Sequence, residues 1–330
     1  MKKIINKAFV LILQVIIILS LMLINTGCKQ PSESTDTAVQ QTETQVETTL
    51  ETKATETIPE TVTAETQEDL SKEIETKFGE LDKSVDNIGN IFIFIDQNIK
   101  YATPELASEI VYTVMKLCEE YKFDFTDKFS DPEVQSTIND LLSSLEQIDL
   151  NTLIKTNNQK VKDLIQEAID KKYKLMAVEG FIMPLVDYRA YDVFRTYLTQ
   201  EMKDYIDIKL DESERPSVMD AGIVIPIDDF IQRILKSMDY ITNYPDSPRA
   251  DEIDQFNTGR IFMYLSGIDN NPVFDSNQKI LPDRLSEFED NLTKYGDTKF
   301  GKILGSYLDL LAQENYIRTQ MIDDFLNNLQ

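Results

Sequence analysis

Two stretches of this chain open with the same three-residue signal, and it dictates how the segments after them fold. In "TPELASEIVYTVMKLCEEY" Thr103 stands where a helix cap belongs, Pro104 at the first helical position and Glu105 in the first turn. A side-chain oxygen there accepts from an unpaired amide, proline gives up an amide the helix would not use, and an acid suits the positive end of the helix. Leu106, Ile110, Val114, Leu117 and Tyr121 follow at steps of three and four. That spacing is one apolar face of an amphipathic helix. "SDPEVQSTINDLLSSLEQI" repeats the pattern with Asp131, Pro132 and Glu133, followed by Val134, Ile138, Leu141, Leu142, Leu145 and Ile148. Similar stripes run over residues 156–178, 188–210, 226–242, 248–266, 282–295 and 298–329. Strand signals are few: "NIFIFI" at 90–95, which reads equally as the end of a buried helix, and "AGIVIPI" at 221–227. The fold class expected is all-α, an irregular bundle or a set of repeat-like helical hairpins, over residues 69–330.

What precedes that domain is of another kind. From Lys29 to Glu68 the chain is dominated by Thr, Glu and Gln, with no aromatic residue. Such a segment buries too little apolar surface to offset the entropy of ordering it, so residues 28–68 are expected to be a disordered, self-repelling tether. Before it, Lys2, Lys3 and Lys7 lead an apolar run from Ala8 to Ile24 that ends in small residues just before Cys28. This is the layout of a secretory signal, residues 1–27.

Thr26-Gly27-Cys28 resembles the lipobox of bacterial lipoproteins, with Asn25 where that family usually carries Leu. The resemblance implies cleavage before Cys28 and a covalent diacylglycerol on its thiol, which would hold the protein at the outer face of the cytoplasmic membrane. Two plainer readings stand beside it: an uncleaved membrane helix, short for the roughly 20 residues of a span, and an ordinary secretion signal with an incidental cysteine. All three place the remaining chain outside the cytoplasm. Lipobox and polar tether together resemble the surface lipoproteins of Gram-positive-type bacteria.

Composition then removes function classes. With 58 acidic against 33 basic residues the net charge is -25, a field that repels nucleic acid and anionic lipid. There is no histidine, so Ser-His-Asp and Cys-His sites and His-ligated zinc are unavailable. Of two cysteines one is the anchor residue, and Cys118 shares a helix face with Val114 and Leu117, the setting of a buried small hydrophobe. Paired carboxylates, as in glycoside hydrolysis, stay open.

Three connectors carry more Gly, Pro and apolar residues than solvated loops need: "EGFIMPLVDYRAY" from Glu179, "ERPSVMDAGIVIP" from Glu214 and "GIDNNPVFDSNQKILP" from Gly267. They resemble, in order and wording, a group of secreted and lipid-anchored bacterial proteins whose activity is uncharacterised. Apolar connectors pack onto something and often line a groove. The expectation is that they meet on one face with Glu179, Asp187, Tyr188, Arg189 and Asp220 as its polar members; the alternative is that they cover helix ends. Asp269, Asn271, Asp275 and Asn277 are hard oxygen donors at short spacing and form a weak calcium candidate, without the glycine and final Glu of an EF-hand loop. Tyr244-Pro245, Ser247 and Ala250 resemble the turn of a tetratricopeptide helix pair, with Ser247 as cap and Pro248 opening the second helix; no second copy recurs at the family's spacing.

The function expected is a non-catalytic, protein-binding helical module on a lipid-anchored tether, with an unidentified envelope protein as partner and no cofactor besides the lipid. An envelope hydrolase or glycan-binding protein working through carboxylates is the second reading. A solute-binding lipoprotein is the third, and it lacks the strand-helix alternation usual for that class.

Overall fold

A computed structural model describes residues 64–143, 148–178 and 180–329. Cys28, the tether up to residue 63 and Glu179 lie outside the described residues. The fold is all-α in architecture, with three two-stranded antiparallel hairpins in its connectors. None of the described helices is long and apolar enough to cross a membrane.

The helices begin at Ala64, not at residue 69. The first half comprises α1 (Ala64–Glu80), α2 (Ile88–Asn98), α3 (Pro104–Phe129), α4 (Pro132–Leu142), the single turn α5 (Leu150–Leu153), α6 (Gln159–Asp170) and α7 (Gln200–Glu214). The cap signals work as read: Thr103 accepts from the Leu106 amide, and Asp131 from the amides of Glu133 and Val134. "NIFIFI" is helical, inside α2, because Ile88, Ile91, Phe92 and Ile95 form a 3–4 stripe and are all buried.

The stripe over 156–178 is not one helix. Helix α6 stops at Asp170, Lys172 takes a left-handed turn at φ 56°, and β1 (Tyr173–Val178) runs antiparallel to β2 (Phe181–Val186). Tyr173 and Leu175 are buried in alternation with half-exposed neighbours, the two-residue period of a strand. The stripe over 188–210 also divides, into a 3-10 segment (Tyr188–Tyr197) and α7, whose cap Thr199 accepts from the Met202 amide at 3.2 Å.

The second half comprises β3 (Val218–Met219), β4 (Gly222–Ile223), α8 (Ile227–Asn243), α9 (Ala250–Ser266), β5 (Gly267–Ile268), β6 (Asn271–Pro272), α10 (Pro282–Tyr295), α11 (Lys299–Gln313) and α12 (Gln320–Asn327). The stripe over 298–329 breaks at Asn315 and Tyr316, both in left-handed conformation. At Gly267 and Gly301, among others, space forbids a side chain. A Cβ on Gly267, at φ 80°, would press on the Val273 amide, and one on Gly301 would overlap the Tyr295 carbonyl where α10 turns into α11.

The described residues bury their apolar side chains in two separate cores. The larger gathers α1 to α7 with the first hairpin and includes Phe92, Val114, Cys118, Phe125, Ile165, Tyr191 and Ile206. The smaller gathers α8 to α12, around Phe230, Ile234, Tyr264, Phe288, Phe300 and Tyr307. The pair α8–α9 belongs to both: Tyr240 and Ile253, near its turn, sit in the first core, while Phe230, Ile231 and Leu265, at its far end, sit in the second.

Candidate functional site

Between the two cores α7 turns an acidic stripe toward α8 and α9, while Met202 and Ile206 enter the first core and Tyr205, also in that core, packs on Tyr240 of α8 and donates to Glu252 of α9. At one end of the stripe Glu201 accepts from Arg249 through both oxygens, Nε at 2.9 Å and Nη2 at 2.6 Å, from Ser247 Oγ at 2.7 Å and from the Tyr240 hydroxyl. Arg249 is 3% exposed, lies over the Tyr112 ring and also reaches Glu109 at 3.2 Å. Burial by itself would raise the Glu201 carboxyl; its donors outweigh that and hold it below the usual range.

At the other end Glu212 accepts from Arg233 at 2.8 Å, Arg260 at 2.6 Å, the Ser217 amide at 2.9 Å and the Ser217 hydroxyl. Burial pushes this carboxyl up, while the Arg260 charge, Ser217 and Arg233 bring it net below its ordinary value. Arg260 is 1% exposed, and burial lowers its pKa. One carboxylate therefore faces two buried guanidinium groups. Arg260 Nε and Asn257 Oδ1 are buried with no hydrogen-bond partner.

Between these ends Tyr244 donates to Asp204 at 2.7 Å and Lys236 pairs with Asp211 at 2.6 Å. A gap of 260 Å³, lined in part by Asp204, Ile208, Leu235 and Asn243, opens in the middle.

A further cavity is an open cleft of 570 Å³ where the start of α8 meets α10. Pro226, Ile227 and Asp228 form one wall; Asp283, Ser286, Glu287, Asp290 and Asn291 form the other, at spacings that place them on one helix face. Asp228 accepts from Tyr295 at 2.9 Å and pairs with Lys294, whose hydrogen bond is the main reason its carboxyl is held low. Arg284 donates to Glu287 at 2.8 Å and lies against the rings of Tyr264 and Phe288, and Asn291 donates to the Tyr264 hydroxyl at 2.8 Å. Asp228, Asp283 and Asp290 reach solvent, whereas Glu287 Oε1 is buried without a hydrogen-bond partner.

The connectors meet in part. The second and third join: the Asn270 amide donates to the Ala221 carbonyl at 2.9 Å, the Ile223 amide to Asn271 Oδ1 at 2.5 Å, and the Asn270 side chain to the Asp220 carbonyl. The first packs on the larger core and reaches the start of the second at Glu214. There Asp187 caps the 3-10 segment through the Arg189 amide, buried Tyr188 donates to Glu119 at 2.7 Å, and exposed Arg189 pairs with Glu214. Among the described residues no hydrogen bond or ion pair joins Asp220 to Asp187, Tyr188 or Arg189. Asp187 and Tyr188 here serve helix ends and core.

Two of the calcium candidates are likewise engaged with the backbone. Asn271 Oδ1 is taken by Ile223, and Asp275 Oδ1 accepts from the amides of Asn277 and Lys279. Among the described residues no group of three or more acidic or thiol side chains converges as a metal site would require. The turn from Tyr244 to Ala250 does join two antiparallel helices, but α9 starts at Ala250 rather than Pro248, and Ser247 Oγ accepts from the Arg249 amide within the turn. Cys118 is fully buried, and burial pushes its thiol up to about 12.

Sequence reading missed Glu201, Glu212, Arg233, Arg249 and Arg260. One signal was present. Arg260 recurs with Ile253, Asn257 and Tyr264 at helical spacing, so an arginine occupies a core position. No family model, no curated protein and no solved structure matches this chain.

Proposed function

We propose that this chain is a lipid-anchored protein of the cell envelope, held at the outer face of the cytoplasmic membrane by diacylglycerol on Cys28, whose tethered helical domain binds another protein. The anchor rests on the sequence: the basic start, the apolar run and Thr26-Gly27-Cys28. The observation that carries the binding reading is the open cleft between α8 and α10, where Asp283, Ser286, Glu287 and Asp290 line one helix face. An open, mostly polar cleft between helices fits a segment of a partner. Its carboxylates favour a segment that brings lysine or arginine. For a hydrolase, one carboxyl would have to hold its proton near neutral pH. The carboxyls this fold shifts, Glu119, Glu167, Glu201 and Glu212 among them, are shifted down.

Two experiments test the two parts. Cys28→Ala is expected to release the protein from membranes or leave it as precursor; full retention would mean the apolar run is itself the anchor. Crosslinking in intact cells followed by purification is expected to recover a stoichiometric protein partner that is lost in Asp283→Lys/Asp290→Lys. Recovery of the partner by that variant, with helix content intact, would remove the cleft from the binding face. Glycan fragments in its place would favour the carboxylate reading.

A further inference from the structure

Independently of what the cleft binds, the two cores carry an inference about how the domain moves. The apolar clusters are distinct, and α7 meets the hairpin α8–α9 differently at its two ends: near the turn Tyr205 packs on Tyr240 within the first core, while toward the second core the contact is a gap of 260 Å³ and the buried cluster of Glu212 with Arg233 and Arg260. Interfaces of this polar kind couple neighbouring bodies weakly, because the attraction of each buried pair is largely offset by the desolvation it required. The Glu212 cluster is also incomplete, with a surplus guanidinium and two buried polar atoms unpaired. The core on the far side of the seam is the smaller one.

We propose that the helical domain is two cooperative units, and that the smaller one, α10 to α12 with the far end of α8–α9, opens as a block while the larger stays folded. The joint is at Glu212, which holds Arg233 and Arg260; at the other end of the seam Glu201, on Tyr240, Ser247 and Arg249, fastens the hairpin to the larger unit. The clasps act at different points of the same hairpin. Glu201 holds its turn, which is rooted in the first core by Tyr240 and Ile253; Glu212 holds the far half, which builds the second core. The cleft between α8 and α10 lies wholly within the unit that opens, so the seam governs whether that cleft exists.

Amide hydrogen exchange of the whole protein, read peptide by peptide at rising urea below the main transition, tests this. Amides of α10 and α11 are expected to share one urea dependence and to exchange faster than those of α3 and β1. Glu212→Gln is expected to speed α10 and α11 on the order of tenfold or more, leaving α3 and β1 within about twofold. Ser217→Ala, which takes one hydroxyl from the Glu212 cluster, is expected to act in the same direction with smaller effect, and it serves if the first variant does not fold. A single urea dependence shared by all four elements overturns the proposal. So does equal acceleration of both groups by either variant, because the joint would then not be at Glu212.

Discussion

Replacing Arg249 by methionine puts a magnitude on the clasp. The arginine side chain is 4% exposed and Glu201 16% exposed, so solvent does little to screen the pair. Methionine keeps much of the volume under the Tyr112 ring but leaves the Glu201 carboxylate with only the Tyr240 and Ser247 hydroxyls. Removing one partner of a buried pair costs about 3–5 kcal/mol, because the remaining charge keeps its desolvation penalty and loses its compensation. The two hydroxyls still donate, which places the expected loss at the lower end, about 3 kcal/mol. At a urea slope of about 2–3 kcal/mol per molar, the midpoint of the transition in which the larger unit unfolds, followed by far-ultraviolet circular dichroism, should fall by about 1–1.5 M. The second half of the cycle is Arg249→Met with Glu201→Met. With both charges gone no orphan remains, so the double variant should regain most of the loss and show a coupling of about 2 kcal/mol or more. A single variant within about 0.5 kcal/mol of the parent, or a double variant as unstable as the sum of the singles, would refute the reasoning that this pair clasps the seam.

Further predictions concern pH, packing and the thiol. Glu119, Glu167, Glu201 and Glu212 are all held below their ordinary 4.5, so the stability they contribute is present above that value and is lost as pH falls through their lower folded values. With no histidine in the chain, the unfolding midpoint should stay level between about pH 6 and 8 and drop only on the acid side; a marked slope across neutrality would contradict it. Gly301→Ala forces a methyl into the Tyr295 carbonyl and should cost about 1–3 kcal/mol in thermal unfolding, while alanine at Gly259, where nothing crowds the new carbon, should not destabilise. Cys118 should resist thiol reagents in the folded protein and react at the rate of unfolding, since burial both shields it and keeps it protonated.

The elements that could be read from the chain were those whose cause is local. Thr103 and Asp131 cap their helices because a side-chain oxygen two or three residues ahead of the amides suffices. The face of α3 is legible because Ile110, Val114 and Tyr121 are buried on whatever surface they meet. The splitting of the longer stripes was not legible. The run over 156–178 keeps apolar residues at spacings that suit both periods, and the choice fell to β2, whose pairing with β1 makes Tyr173 and Leu175 face the core in alternation. The connectors show the same limit: their apolar content said that they pack, and only the fold decided that the second and third join while the first packs on the larger core and reaches the second at Glu214.

Charge was the least legible property. The chain by itself settles the acidic surplus, the absence of histidine, the helical class and the change in composition between residues 29–68 and the helical domain, since all of these depend on composition or near neighbours. Which of the 58 acids matter to the fold is decided only in three dimensions. Glu201 and Glu212 look like any other acids on an amphipathic helix until α8 and α9 bring Arg249, Arg233 and Arg260 against them. The physical reason is that a carboxylate in water is worth little to its neighbours, and the same carboxylate out of water binds or breaks a structure according to what faces it.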